Sequence, residues 1–190
     1  MRASPSGAFL VTTDTENSLK VWSLLTFKLL FERERSTHNR HQWSKDETLL
    51  AVLDYSSKVI EVYHRTGEND SFDLLLTEAM TVRDSFMVEF GPTGSYLVKA
   101  DERHGLTILK RRSENDFGPH DHLPHIRGRA SSLCWAAPGL ILVGLGVAKD
   151  KAKIDIVDFE EDAQPGRCLH LRDYSLELHT ASVDNILVGR

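Results

Sequence analysis

Between Gly118 and His125 the chain places His120, Asp121, His122 and His125. Imidazoles and carboxylates are zinc-holding side chains, and a His-x-His pair on an extended segment puts both rings on one face. Gly118, Pro119 and Pro124 interrupt the segment and mark it as a connecting loop. The expectation is therefore an exposed His-rich connector and no bound metal. Were a metal to bind, His120, His122 and His125 are the residues it would use.

The spacing resembles the His-x-His-x-Asp-His box of metallo-β-lactamase-like hydrolases, but Pro124 stands where that box needs its aspartate. Nor does the rest of the chain alternate strands with helices as that fold requires. Cys134 precedes Trp135 on an apolar segment and reads as a packed thiol. Cys168 falls on the outermost strand of the same unit, about three strand spacings or ~14 Å away. A disulfide closes at no more than ~7 Å between Cα atoms, so both thiols are expected to be reduced. Gly144 and Gly146 do not precede a helix, which argues against a phosphate-cradling loop. The acids Asp155, Asp158, Glu160, Glu161 and Asp162 read as the polar end of a hairpin.

These groups sit on a chain that repeats itself. The turn "SPSG" at Ser4–Gly7 returns as "SKDE" at Ser44, "GPTG" at Gly91, "AAPG" at Ala136 and, more faintly, "SVDN" at Ser182. The steps between starts are 40, 47, 45 and 46 residues, and a period of about 40–50 residues is the signature of propellers and other repeat arrays. After the turns come "AFLVTT", "TLLAVL", "SYLVKA" and "LILVGL", then a polar gap, then "LKVWSL", "VIEVYH", "LTILKR" and "AKIDIVDF". Period-two alternation broken by Asp, Ser and Gly means strand, turn, strand. A further apolar segment follows in most units, and another short strand precedes each turn, including "SLELHTA" ahead of the last. Each unit is thus four short antiparallel strands with one apolar face. No helical stripe survives the turn residues.

Composition narrows the class. A 190-residue chain with 41% apolar residues has enough material for one domain or part of a larger one. A formal charge of −5 offers no general attraction to nucleic acid or to an anionic membrane surface. No apolar run approaches the ~18 residues of a membrane span. Two cysteines fit a reducing compartment, so a cytoplasmic, or else nuclear, location is expected.

The unit resembles a blade of a WD-repeat-like β-propeller, with an "sPdG" turn followed by "yLvt" and "lkvW" strands. "SPSGAFLVTTDTENSLKVWSL" carries the resemblance best, with Trp22 where the family often has the Trp of its WD dipeptide. Ser23 replaces the Asp, Tyr63–His64 and Leu109–Lys110 occupy the equivalent places, and no Gly-His pair opens a unit. The resemblance implies an all-β β-propeller of four-stranded antiparallel blades, about four of them, forming an open arc of a larger ring. The blades are expected at 1–35, 36–80, 81–126 and 127–172, with a partial blade at 173–190. Phe9, Trp22, Trp43, Tyr63, Phe90, Tyr96 and Trp135 recur at blade-packing places and are expected in the core.

The leading functional expectation is a non-catalytic protein–protein interaction scaffold without cofactors. Its contacts would be loop residues: Arg33, Arg35, His38, Arg40, Asp101, Arg103, His104, Arg111, Arg112, Arg127 and Arg129. Such cations suit other proteins or acidic peptide segments, and exposed blade edges invite self-association. One alternative is a propeller enzyme of hydrolase or lactonase type, metal-dependent or ligand-binding. That reading wants one carboxylate or His from each of several blades at equivalent positions, and no polar residue repeats at one register across the units. A second alternative is an RNA-associated propeller.

Overall fold

Three of the four repeated turns fold the chain back on itself in the same way, and the fourth is tighter, with Ala137 already opposite Leu140. In a computed structural model that describes residues 1–14, 18–34, 40–54, 57–67, 70–79, 87–101, 105–113, 116–123, 129–147, 151–160 and 169–178, Gly7 N–H donates to the Ser4 carbonyl, Glu47 N–H to Ser44, and Gly94 N–H to Gly91, each at 3.0 Å. The fourth residue of every turn is left-handed: Gly7 (φ 79°), Glu47 (φ 60°), Gly94 (φ 73°) and Gly139 (φ 80°). Glycine accepts that conformation without steric cost. Glu47 is the exception, and its side chain has a reason to be there: its carboxylate accepts the Ser6 N–H at 2.5 Å and the Ser6 hydroxyl at 2.9 Å.

Between turns, alternation yields sixteen strands: β1 (Arg2–Ala3), β2 (Phe9–Thr13), β3 (Leu19–Ser23), β4 (Leu29–Arg33), β5 (Arg40–Trp43), β6 (Leu49–Asp54), β7 (Val59–Thr66), β8 (Ser71–Ala79), β9 (Met87–Phe90), β10 (Tyr96–Asp101), β11 (Gly105–Ser113), β12 (Asp116–Leu123), β13 (Arg129–Ala137), β14 (Leu140–Val147), β15 (Lys151–Phe159) and β16 (Leu169–Leu178). They form four antiparallel sheets of four consecutive strands each. Among the described residues every regular element is a strand.

The contacts gather these sheets into two units, one holding the first two sheets and residues 112–117, the other the rest of the third sheet and the fourth. In the first unit, Phe9, Val11, Leu19 and Val21 of the first sheet meet Trp43, Leu50, Val52 and Tyr63 of the second. Phe9 and Trp43 stack with centroids 5.6 Å apart, and Phe31 tilts onto Tyr63 at 4.7 Å. In the second unit, Tyr96, Val98, Ala100, Leu106 and Ile108 meet Ile141, Val143, Leu145, Val157 and Phe159. Each such aliphatic side chain contributes roughly 1.5–3 kcal/mol of burial. β6 is buried at all six positions, so both of its faces are sealed.

Three expectations need correction. The segment around His120 is not a loop: residues 116–123 are β12, the fourth strand of the third sheet. Pro119 is tolerated because an edge strand can leave its outer side unpaired. "SLEL" does not open a new unit either. Leu169–Leu178 is one strand, with Val157 opposite Leu171 and Ile154 opposite Leu176, so this sheet runs past the expected blade boundary at 172. Finally, Phe9, Trp43, Tyr63, Phe90 and Tyr96 are buried, but Trp22 and Trp135 are only half-buried.

Candidate functional site

The first strand of every sheet is an edge strand, paired on one side only. The ladders align these four strands. Ala3, Trp43, Phe90 and Trp135 lie opposite Leu10, Leu50, Leu97 and Ile141 in turn. One step back, Arg2, Gln42, Glu89 and Cys134 lie opposite Val11, Ala51, Val98 and Leu142. A common register therefore carries a cation, an amide, a carboxylate and a thiol, one from each sheet. That corrects the reading that no polar register repeats. The signal was present in the sequence: each of the four stands two residues before the start of a repeated turn.

Within each unit the row makes a pair across its two sheets. In the first, the Arg2 guanidinium donates to Gln42 Oε1 at 3.2 Å on the exposed surface. In the second, Glu89 and Cys134 are both half-buried. Burial, and then the negative charge of Glu89, push the Cys134 thiol up to about 11. At neutral pH that sulfur stays protonated and is a poor nucleophile. Cys134 is free of disulfide bonding, while Cys168 lies outside the described residues.

The expected loop cations are scattered instead. Arg33 ends β4 rather than lying in a loop, and its guanidinium is committed to the second sheet. It binds Asp54 Oδ2 at 3.0 Å and grips both oxygens of Glu61, the longer bond 2.9 Å. Tyr63 donates to Glu61 at 2.7 Å, and Ser57 donates to Asp54 at 2.7 Å. Desolvation opposes the Arg33 charge, yet these carboxylates outweigh it and raise its pKa; Tyr63 is raised by burial and by the same glutamate. This cluster locks two sheets together. Arg40 begins β5 and is exposed, Arg111 lies in β11, and Arg112 faces Asp116 across 3.9 Å of open surface. Asp101 ends β10 and Arg129 begins β13. Arg35, His38, Arg103, His104, Arg127 and His125 lie outside the described residues.

The histidines of β12 also part company. His120 sits against the Tyr96 ring at 6.0 Å, while His122 Nδ1 is 3.0 Å from the Thr107 hydroxyl. Asp121 between them is buried and accepts the Leu169 N–H at 3.0 Å, which fixes β12 to the neighbouring sheet. Among the described residues, no three His, Cys, Asp or Glu side chains are grouped to hold a metal ion.

No protein-family model and no curated protein sequence matches the chain. Solved structures do. A candidate 6-phosphogluconolactonase of Bacteroides fragilis is similar at TM-score 0.68 and 14% identity, covering 95% of this chain and 55% of its own. The periplasmic gluconolactonase of Pseudomonas aeruginosa is similar at TM-score 0.67 and 12% identity, over 95% and 53%. U3-55K is similar at TM-score 0.65 and 15% identity, over 96% and 52%. The chain thus spans about half the length of the structures it matches. The presence of lactonases among them corrects the expectation of a non-catalytic scaffold, and with it the expectation of no enzymatic activity; the hydrolase alternative fits these neighbours better. At such identities the likeness shows the fold, and that fold is the all-β, β-propeller one, built of four-stranded antiparallel blades.

Proposed function

We propose that the chain belongs to a lactonase-type propeller hydrolase, with Glu89 as the carboxylate that activates water. The observation that carries the reading is the pair Glu89 and Cys134, half-buried at one register position of the edge strands β9 and β13 within one unit, with the Glu89 charge felt at the Cys134 thiol. The lactonases among the structural neighbours support the same reading. The WD-type construction of the blades is part of the proposal, supported by the "SPSG" and "GPTG" turns and by Trp22.

The chemistry asked of Glu89 is modest. A water oxygen attacks the lactone carbonyl while the carboxylate takes one water proton. The ring C–O bond then breaks, its electron pair goes to the departing alkoxide, and the proton returns there to give the open hydroxy acid. Cys134, held protonated, offers an S–H rather than a nucleophile. The test is proton release from glucono-δ-lactone and 6-phosphogluconolactone by the purified chain, measured above spontaneous hydrolysis. Glu89→Gln should lower the rate by about 10²-fold or more, the usual share of a general base. No rate above background, or an unchanged rate in Glu89→Gln, would end the proposal.

A further inference from the structure

Where the first two sheets pack, the ladders place Arg2 opposite Val11, His41 opposite Val52 and Trp43 opposite Leu50. Val11, Val52 and Leu50 belong to the core between those sheets, and directly opposite side chains share a face, so all three look into one seam. The place of His41 is taken in the fourth sheet by Leu133, opposite Val143 and packed on its own unit's core. An aliphatic residue is what packing alone asks for there, since a buried polar group costs free energy unless it is bonded. His41 instead has both ring nitrogens buried without a hydrogen-bond partner. Two residues on, Trp43 is 5% exposed and its indole Nε1 is likewise unpartnered. Buried groups left unpaired in a folded chain are few, and here three such atoms stand on one face of one strand. The cation across the seam keeps donors to give. Arg2 is exposed and passes one N–H to Gln42 Oε1 at 3.2 Å, of the about five that a guanidinium carries.

We infer that this seam binds a tetrahedral oxyanion, a phosphate or sulfate group, held by Arg2, His41 and Trp43. A protonated imidazole donates through both nitrogens, so the guanidinium, imidazolium and indole then offer donors alone and call for an acceptor. These donors come from two facing strands. That is more directions than the coplanar oxygens of a carboxylate can meet, whereas tetrahedral oxygens can. The charged groups that act on His41 are the Arg2 guanidinium and the Met1 ammonium, both positive. Glu61, also opposite Val52, is gripped by Arg33 and by the Tyr63 hydroxyl. Burial first, then the two positive charges, keep the free ring neutral. An anion among them reverses the balance, and binding takes up a proton. The seam lies in the first unit and Glu89 in the second, so the inference does not depend on the hydrolase reading.

Titration calorimetry of the whole chain with sodium sulfate, whose charge is constant from about pH 5 to 8, tests it at fixed ionic strength. The wild type should bind sulfate about tenfold or more tighter at about pH 6 than at about pH 8. Buffers of different ionisation enthalpy should show the proton uptake. His41→Leu installs the residue type of the fourth sheet and should lose the pH dependence and about tenfold in affinity. Arg2→Gln should weaken binding at both pH values. The chain has three tryptophans, and the Trp43 indole N–H signal, assigned by its contacts with the Phe9 ring, should move on titration. The Trp22 signal, already bonded to Thr12 Oγ1 at 3.0 Å, should stay. Whichever of inorganic phosphate and glycerol 3-phosphate binds tighter names a free ion or a phosphomonoester as the occupant. No saturable sulfate binding at about pH 6, equal binding in His41→Leu, or an unmoved Trp43 signal overturns the inference.

Discussion

His41 makes the first sheets acid-sensitive in a way that can be measured. It lies on β5 opposite Val52, on the face turned to the first sheet. Neither ring nitrogen reaches solvent or a hydrogen-bond partner. Desolvation, then the positive charges of Arg2 and of the Met1 ammonium, lower its pKa from 6.5 to about 4. Because the folded value lies below the unfolded one, the unfolded chain binds the extra proton between them. Stability is therefore complete above about 6.5 and falls as the pH drops toward 4. Carried through the linkage relation, the shift removes about 2 kcal/mol between about pH 7.5 and pH 5. Urea unfolding of the wild type and of His41→Leu at both pH values tests it. Every other titrating group is common to the two proteins, so the variant should lose about 2 kcal/mol less over that interval. Arg2→Gln should recover a smaller part. If the wild-type and His41→Leu curves run parallel with pH, the ring is not buried and neutral, and the reasoning fails.

Other substitutions probe the remaining contacts. Arg33→Met strands Asp54, fully buried, and Glu61 beside it; with Ser57 and Tyr63 still donating, the loss should be about 3 kcal/mol by urea unfolding. Adding Glu61→Gln should cost less than the two single losses together, because the pair acts as one. Gly139→Ala puts a Cβ 3.1 Å from the Phe159 carbonyl oxygen at φ 80°, whereas Gly7→Ala meets nothing within 4 Å; differential scanning calorimetry should show Gly139→Ala costing about 1 kcal/mol more than Gly7→Ala. Cys134 should react with iodoacetamide at neutral pH about 10²-fold more slowly than an unperturbed thiol. Glu89→Gln should recover part of that rate.

The sheets were legible because turn and alternation agree at every repeat. "SPSG", "SKDE", "GPTG" and "AAPG" each end in the left-handed residue that the turn demands, and the strands that follow are short enough for period two to be unambiguous. β12 was hidden because Gly118 and Pro119 signal a break, and only its place at a sheet edge makes them harmless. Arg33 looked like a loop cation since nothing local shows that Asp54 and Glu61, some 20–30 residues on, turn toward it. The row of Arg2, Gln42, Glu89 and Cys134 escaped for a different reason. A search for one residue type repeating is blind to a position that repeats while its chemistry changes. Counting back from the turns finds it.

The sealing of β6 on both faces has a consequence for how the first unit opens. Its neighbours can fray at an exposed edge, but Leu49–Asp54 releases its amide protons only when both coverings lift together. In deuterated buffer those six residues should be the last of the unit to exchange, and their rate a direct gauge of its global unfolding.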